Sequence, residues 1–268
     1  MGLRLLLAIV ASVPAPLAAE PPVLSGETLR RYPARGANQG VAVDAARFYT
    51  IDNRAIVAFD RKSGSEIAQW SGDPAQFTHL NSCIVARRDL ICAHSNYPAV
   101  PMKSSVEVFD TRTLKHKRSR NLGGDIGSLT WIVPRGGAWW AAFANYDGRG
   151  GVAGRDHRDT MLVRYDAAFR ERERWRFPSS VLARFAPRSS SGGTWGNDGL
   201  LYVTGHDALE VYVLAVSTTR PTLVHRATIA VDTPGQAIAW DGGGRRELWS
   251  IDRARSEVAV TRLPVVKP

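Results

Sequence analysis

The chain has 268 residues, 44% of them hydrophobic, with a formal charge of +10 and a pI near 10.1. That length fits one large domain or two small ones, and the composition excludes a disordered chain. The basic excess does not point to nucleic acid: only Lys62, Lys103, Lys115, Lys117 and Lys267 are lysines, the arginines are spread along the chain, and the densest runs, 115–120 and 170–176, fall where exposed outer strands are expected.

Residues 1–19 read as a secretory signal peptide. Arg4 supplies the positive start, Leu5 to Val13 the apolar run, and Pro14 and Pro16 break any helix before Ala18-Ala19. The run is too short to span a bilayer, no later stretch is long enough, and no Cys follows the expected cut after Ala19 to carry a lipid. The expected product is periplasmic or secreted, with no transmembrane segment, and a monomer. Residues 20–36 form a lead-in, in which Leu29 to Pro33 can serve as a ring-closing outer strand. Residues 37–268 are expected to form one domain.

That domain repeats one pattern: strand, turn, strand, loop, strand, and usually a fourth strand. The first unit starts at Asn38 and runs through Phe48–Asp52 and Ala55–Phe59 to an outer strand at Glu66–Trp70. The second starts at Asn81 and contains Cys83 and Cys92, which flank a hairpin centred on Arg87-Arg88. Counting outward from a two-residue turn puts the cysteines opposite each other on a non-hydrogen-bonded pair, where Cα atoms approach most closely. A disulfide fits an oxidising compartment; the alternative is two reduced core thiols. The third unit opens at Ser128 and ends on Glu171–Phe177. Ser179 to Phe185 can make a turn or two of helix before Pro187. The fourth spans 191–230, with a turn at Asn197-Asp198-Gly199. The fifth begins at Gln236 and has no residues left for a fourth strand. A repeat of about 40–50 residues built only of strands marks a propeller. The expected fold is all-β, a five-bladed β-propeller, with six blades as the alternative if 147–190 hides a degenerate unit.

His79-Leu80-Asn81-Ser82, the run Phe143 to Gly148, and Thr204-Gly205-His206-Asp207 give the chain a further likeness. With the signal segment and the five-fold pattern, it resembles secreted bacterial propellers of the glutamine cyclotransferase, gluconolactonase and NHL-like superfamily, most of all those labelled cycloisomerase by homology. The resemblance implies the fold and a site at the ring mouth, but not one reaction. The gluconolactonase calcium set of Glu, Asn and Asp is not found at matching positions. No Trp-Asp or Gly-His pair recurs once per blade, as it does in WD40 repeats.

In a propeller the first strand of each blade starts on the same face to which the second strand exits. The polar residues of those two sets should converge on one axial pocket for a small-molecule ligand. His79, His94, His206 and Asp207 are the candidate acid–base groups, because imidazole titrates near neutral pH. Gln39, Asn81, Asn96, Tyr97, Asn145, Tyr146, Asp147, Trp195 and Gln236 are the candidate binding residues. Carboxylate and amide oxygens suit calcium, and three imidazoles with an aspartate suit zinc or iron, but no spacing is diagnostic of a metal. The bland reading is that Asp and Asn cap their own loops, and that the histidines and the tryptophans Trp131, Trp195 and Trp240 pack between blades. Gly148 to Ala153 mimics a dinucleotide fingerprint, but no helix follows, so it reads as a lid or a surface loop. Two functions remain open: an isomerase, lyase or hydrolase using histidine, and a non-catalytic propeller that binds a ligand or a protein.

Overall fold

Within inner strands such as Arg47–Asp52, four successive residues (Phe48, Tyr49, Thr50 and Ile51) are buried, so both faces of the sheet are covered. A sheet apolar on both faces needs a neighbour on each side, and five such sheets arranged in a ring satisfy one another. The computed structural model describes residues 20–267 and shows this ring. The expected signal segment lies outside the described residues.

The chain begins on the rim. Strand β1 (Val23–Ser25) runs parallel to the outer strand of blade four, and β2 (Glu27–Pro33) pairs antiparallel with the last strand of the chain. Blade one is β3 (Gly40–Val43), β4 (Arg47–Asp52), β5 (Ala55–Asp60) and β6 (Glu66–Ser71). Blade two is β7 (His79–Ala86), β8 (Asp89–Ser95), β9 (Ser104–Asp110) and β10 (His116–Gly123). Blade three is β11 (Ser128–Arg135), β12 (Ala138–Ala144), β13 (Met161–Tyr165) and β14 (Glu171–Arg176). The helix α1 (Ser179–Phe185) follows, burying Val181, Leu182 and Phe185. Blade four is β15 (Gly192–Trp195), β16 (Leu201–Thr204), β17 (Glu210–Ala215) and β18 (Val224–Ala230). Blade five is β19 (Ala239–Trp240), β20 (Glu247–Asp252) and β21 (Glu257–Arg262), completed by β2. Residues 147–190 hold a short 3-10 turn, two strands of blade three and α1, so there is no sixth blade.

The core is divided among the five junctions between blades. Leu80, Tyr49 and Phe109 pack between blades one and two. Ile91, Leu129 and Phe143 pack between two and three, and Trp131, Leu201 and Tyr212 between three and four. Tyr202, Ile229 and Leu248 fill the four–five junction, and Phe48, Trp249 and Val258 the five–one junction. Gly193 is required at one of these contacts: a Cβ there would come within 2.5 Å of the Trp131 ring. Trp131 is fully buried and donates its indole N–H to Ser190 Oγ at 2.9 Å, which makes it a packing residue.

Cys83 and Cys92 face each other across β7 and β8, with Cα atoms 4.0 Å apart, and are bonded. The turn between them holds Arg87 at a positive φ of 60°. A bridge that closes so short a loop stabilises mainly by restricting the unfolded chain, by about 2–3 kcal/mol. Denaturation of the oxidised and reduced protein is expected to differ by that amount. The propeller's circular dichroism should survive reduction, because five junction cores hold the ring. Collapse of the strand signal on reduction would contradict this.

Candidate functional site

The first strands of all five blades start on one end of the ring, and the second strands exit at the same end. The residue one or two positions past each second strand therefore faces the axis: Asn53, Tyr97, Tyr146, His206 and Arg253, one per blade. With Gln39, His79, Asn81, Thr130, Ser191 and Gln236 from the first strands or just ahead of them, these line an axial pocket of about 410 Å³. Thr78, Pro98, Arg149 and Arg188 complete its rim. Asn81, Thr130 and Gln236 are buried and form the uncharged part of its wall.

Seven expected site residues meet here: Gln39, His79, Asn81, Tyr97, Tyr146, His206 and Gln236. Six do not. His94 lies inside blade two, where its Nε2 accepts the Thr78 backbone N–H at 3.1 Å and its Nδ1 lies 3.0 Å from Ser105 Oγ. It also stands edge-on to Phe77. The reason is the two-residue period of the strand: side chains within a blade point at neighbouring blades, and only strand starts and exits face the axis. Asn145 is buried and donates to the carbonyls of Ile126 and Asp159. Asn96 braces its own loop through Pro101 O and Lys103 N. Trp195 sits at the far end of β15, under the Arg135 guanidinium and against Trp140. Asp207 is exposed and holds His206 Nδ1 at 2.5 Å from behind. Asp147 lies beside the pocket in a side chamber of about 260 Å³, lined also by Tyr146, Gly148, Arg149, Pro187 and Arg188.

The lining residues not expected from sequence include all of its cations, Arg149, Arg188 and Arg253, together with Asn53, Thr78, Pro98, Thr130 and Ser191. Arg253 was findable, since it directly follows the second strand of blade five. Arg149 and Arg188 stand on loops, where counting from strand ends fails. The Arg149 loop is seated on the mouth: Gly150, at φ 80°, lies against the Tyr97 ring so closely that no side chain fits between them. At its base, Asp147 Oδ1 accepts the His157 backbone N–H at 2.8 Å and contacts its ring Nδ1 at 2.6 Å.

No carboxylate lines the axial pocket among the described residues. Arg253 donates Nε–H to Asn38 O at 2.8 Å, and its nearest acids, Asp52 and Asp207, act on it through space without forming an ion pair. Burial pulls the Arg253 pKa down, Asp207 and Asp52 resist, and Arg188 lowers it further. His79 donates Nδ1–H to Asn53 Oδ1 at 2.6 Å, an oxygen that also accepts from Gln39 Nε2 at 3.1 Å. Burial first, then repulsion from His94 and Arg253, pushes the His79 pKa down to about 4, so the ring is neutral at ordinary pH. Burial pushes the Tyr146 hydroxyl up, keeping it protonated.

This donor set suits an anion and repels a cation. Asp147, Asp156 and His157 do approach one another near the side chamber. Their oxygens are already engaged, Asp147 by His157 and Asp156 by Arg158. A larger cavity, about 900 Å³, opens at the opposite end of the ring beside Trp240. Its acids are likewise satisfied: Asp44 by Tyr49, Asp60 by Ser63 and Asp241 by Arg61. The axial mouth, by contrast, collects Arg149, Arg188 and Arg253 with no carboxylate in its lining.

These features define the class: a five-bladed β-propeller with a cationic axial pocket. No family model and no curated protein sequence matches the chain. Among solved structures it is similar to the WD40 repeats of RRP9, at 11% identity and TM-score 0.45, covering 84% of this chain and 79% of that one. It is similar to U3-55K at 12% identity and TM-score 0.46, covering 83% and 80%. It is also similar to a protein of unknown function from Bacteroides caccae at 9% identity and TM-score 0.43, covering 80% and 65%.

The low His79 pKa has a consequence for stability. From its ordinary value of 6.5 down to about 4, the unfolded chain binds the His79 proton more readily than the folded one. Stability is therefore expected to fall as pH drops through that window, and His79→Gln to flatten the fall. Urea denaturation of both proteins at pH 7 and pH 4.5 checks this; an equal acid loss in the variant refutes it.

Proposed function

We propose that this protein is an exported propeller that binds a small organic anion in its axial pocket. The observation that carries the reading is the cluster of Arg149, Arg188 and Arg253 around a pocket with no carboxylate in its lining. Several arginines of the ring are neutralised by an adjacent acid: Arg172 by Asp166, Arg174 by Glu171 and Arg184 by Glu210. Three guanidiniums left without such partners, around a polar pocket of about 410 Å³, suit a carboxylate or phosphate group on a small molecule. The uncharged amides and hydroxyls of Gln39, Asn81, Thr130 and Gln236 are placed to hydrogen-bond the rest of it. Export follows from the signal-like residues 1–19, and the Cys83–Cys92 bridge suits an oxidising compartment.

A second reading keeps the acid–base chemistry and narrows it. His206, backed by Asp207 at 2.5 Å, forms the carboxylate–imidazole pair of the mouth, and His79 is a neutral imidazole on the same pocket. His94 has no part in it. Turnover of a bound anion that is lost in His206→Ala, with binding retained, would favour this reading.

The binding reading predicts that carboxylates or phosphate stabilise the protein at low ionic strength, and that added chloride weakens the effect through screening. Arg253→Ala is expected to reduce anion affinity about tenfold or more, the loss of one charge-assisted contact. Calorimetric titration at two salt concentrations checks both. Equal affinity in wild type and Arg253→Ala refutes the assignment.

A further inference from the structure

The cationic groups are not arranged around a single point. Arg253 borders only the axial pocket, on the blade-five side. Arg149 and Arg188 border both the axial pocket and the side chamber, and Tyr146 is the third residue common to the two. They therefore stand at a neck between a chamber of about 410 Å³ and one of about 260 Å³. The single carboxylate of the side chamber, Asp147, already receives two hydrogen bonds from His157.

We propose that the ligand is a dianion, with two acidic groups on one short carbon skeleton, one held by Arg253 on the axis and the other by Arg149 and Arg188 at the neck. This rests on the anion-binding reading above. Charge balance argues for it. A single negative charge leaves two of three guanidiniums uncompensated, whereas two charges reduce the excess to one. Burial is the main cause of the lowered Arg253 pKa, and repulsion from Arg188 adds to it in smaller part. Donor count argues the same way. Arg253 commits only its Nε–H, to Asn38 O, so both terminal nitrogens are free for one bidentate carboxylate or phosphate. A second acidic group finds a separate pair of guanidiniums at the neck. Between them, the neutral His79 ring, Tyr97 and Tyr146 form a row with neighbouring ring centroids 5.0 and 4.9 Å apart, which offers the skeleton an uncharged wall.

The test is calorimetric titration of the mature protein with the dicarboxylates from malonate to adipate, each against the monocarboxylate of equal chain length. One diacid is expected to bind at least tenfold more tightly than its matched monoacid, and its length reports the separation of the two anchors. Arg188→Ala is expected to collapse that ratio to about one. Arg188 is exposed, so the variant should fold, and unchanged circular dichroism verifies it. Monoacids that bind as tightly as every diacid overturn the dianion proposal and leave the anion pocket standing. So does an Arg188→Ala variant that weakens both classes equally. If neither class binds the wild type, the anion-binding reading itself falls, and the dianion proposal with it.

Discussion

No blade of this ring can bury its own surface. The strands near the axis are apolar on both faces, and each face is covered only by the next blade. The free energy of folding is therefore distributed over five junctions, each of which exists only if its two flanking blades are in place. The N-terminal segment fixes the last of these. β2 supplies the fourth strand of blade five, while β1, one residue earlier, lies along the outer strand of blade four. Gly26 makes the step between them, at a point where a Cβ would approach Thr261 Cγ2 to 2.7 Å. Tyr32 then stacks on Trp249 and leans on Phe48, which carries the closure into the five–one core. One short segment thus ties blades four, five and one.

Putting the apolar surface between the blades leaves the axis to whatever the strand starts and exits provide. Those positions need not pack, so they are free to be polar. The ring also holds them stiffly: Asn81 is anchored through Leu129 O, and Gln39 and His79 share Asn53 Oδ1. The two neck arginines are the exception, because they ride on loops between blade elements. One of those loops is pinned at its base by Asp147 and His157 and rests on Tyr97 through Gly150. A rigid polar wall with charges on loops would suit the ligand binding proposed above, since loops can adjust around what the wall holds.

The ring itself was legible because its signals are local. Short apolar strands separated by turns, with no helical patterning between them, recur five times. The cysteine pair was legible for the same reason, since a two-residue turn at Arg87-Arg88 fixes the register outward as far as Cys83 and Cys92, just before a bulge shifts it. The site was only half legible. Topology names the end of the ring where the strand starts and exits gather, but whether a residue faces the axis depends on single-residue parity at the strand end. His94 and Tyr97 are three residues apart, on either side of that boundary, and only Tyr97 reaches the pocket. The two loop arginines were hidden by abundance: in a chain with 35 Lys and Arg, nothing local distinguishes Arg149 and Arg188 from the ion-paired arginines of the outer strands. Of the three motifs around His79, Asn145 and His206, the one at Asn145 is structural, since Asn145 braces the backbone rather than facing the axis.

A cluster of like charges is tolerable here because the mouth is open. Arg149 and Arg188 are exposed and hydrated, and Arg253, which is partly buried, keeps Asp52 and Asp207 within electrostatic reach. Water screens the repulsion in the empty state at modest cost. A ligand that enters expels that water and lowers the local dielectric, so its attraction to the guanidiniums strengthens at the same moment as their repulsion of one another. An uncharged ligand would meet only the second effect. An anion meets both, and the balance improves with each negative charge it brings. A pocket that binds an anion as proposed would therefore discriminate by charge through the cost of the alternatives as well as by contact, and the five packed junctions behind it let the fold carry that local repulsion without depending on relief from the ligand.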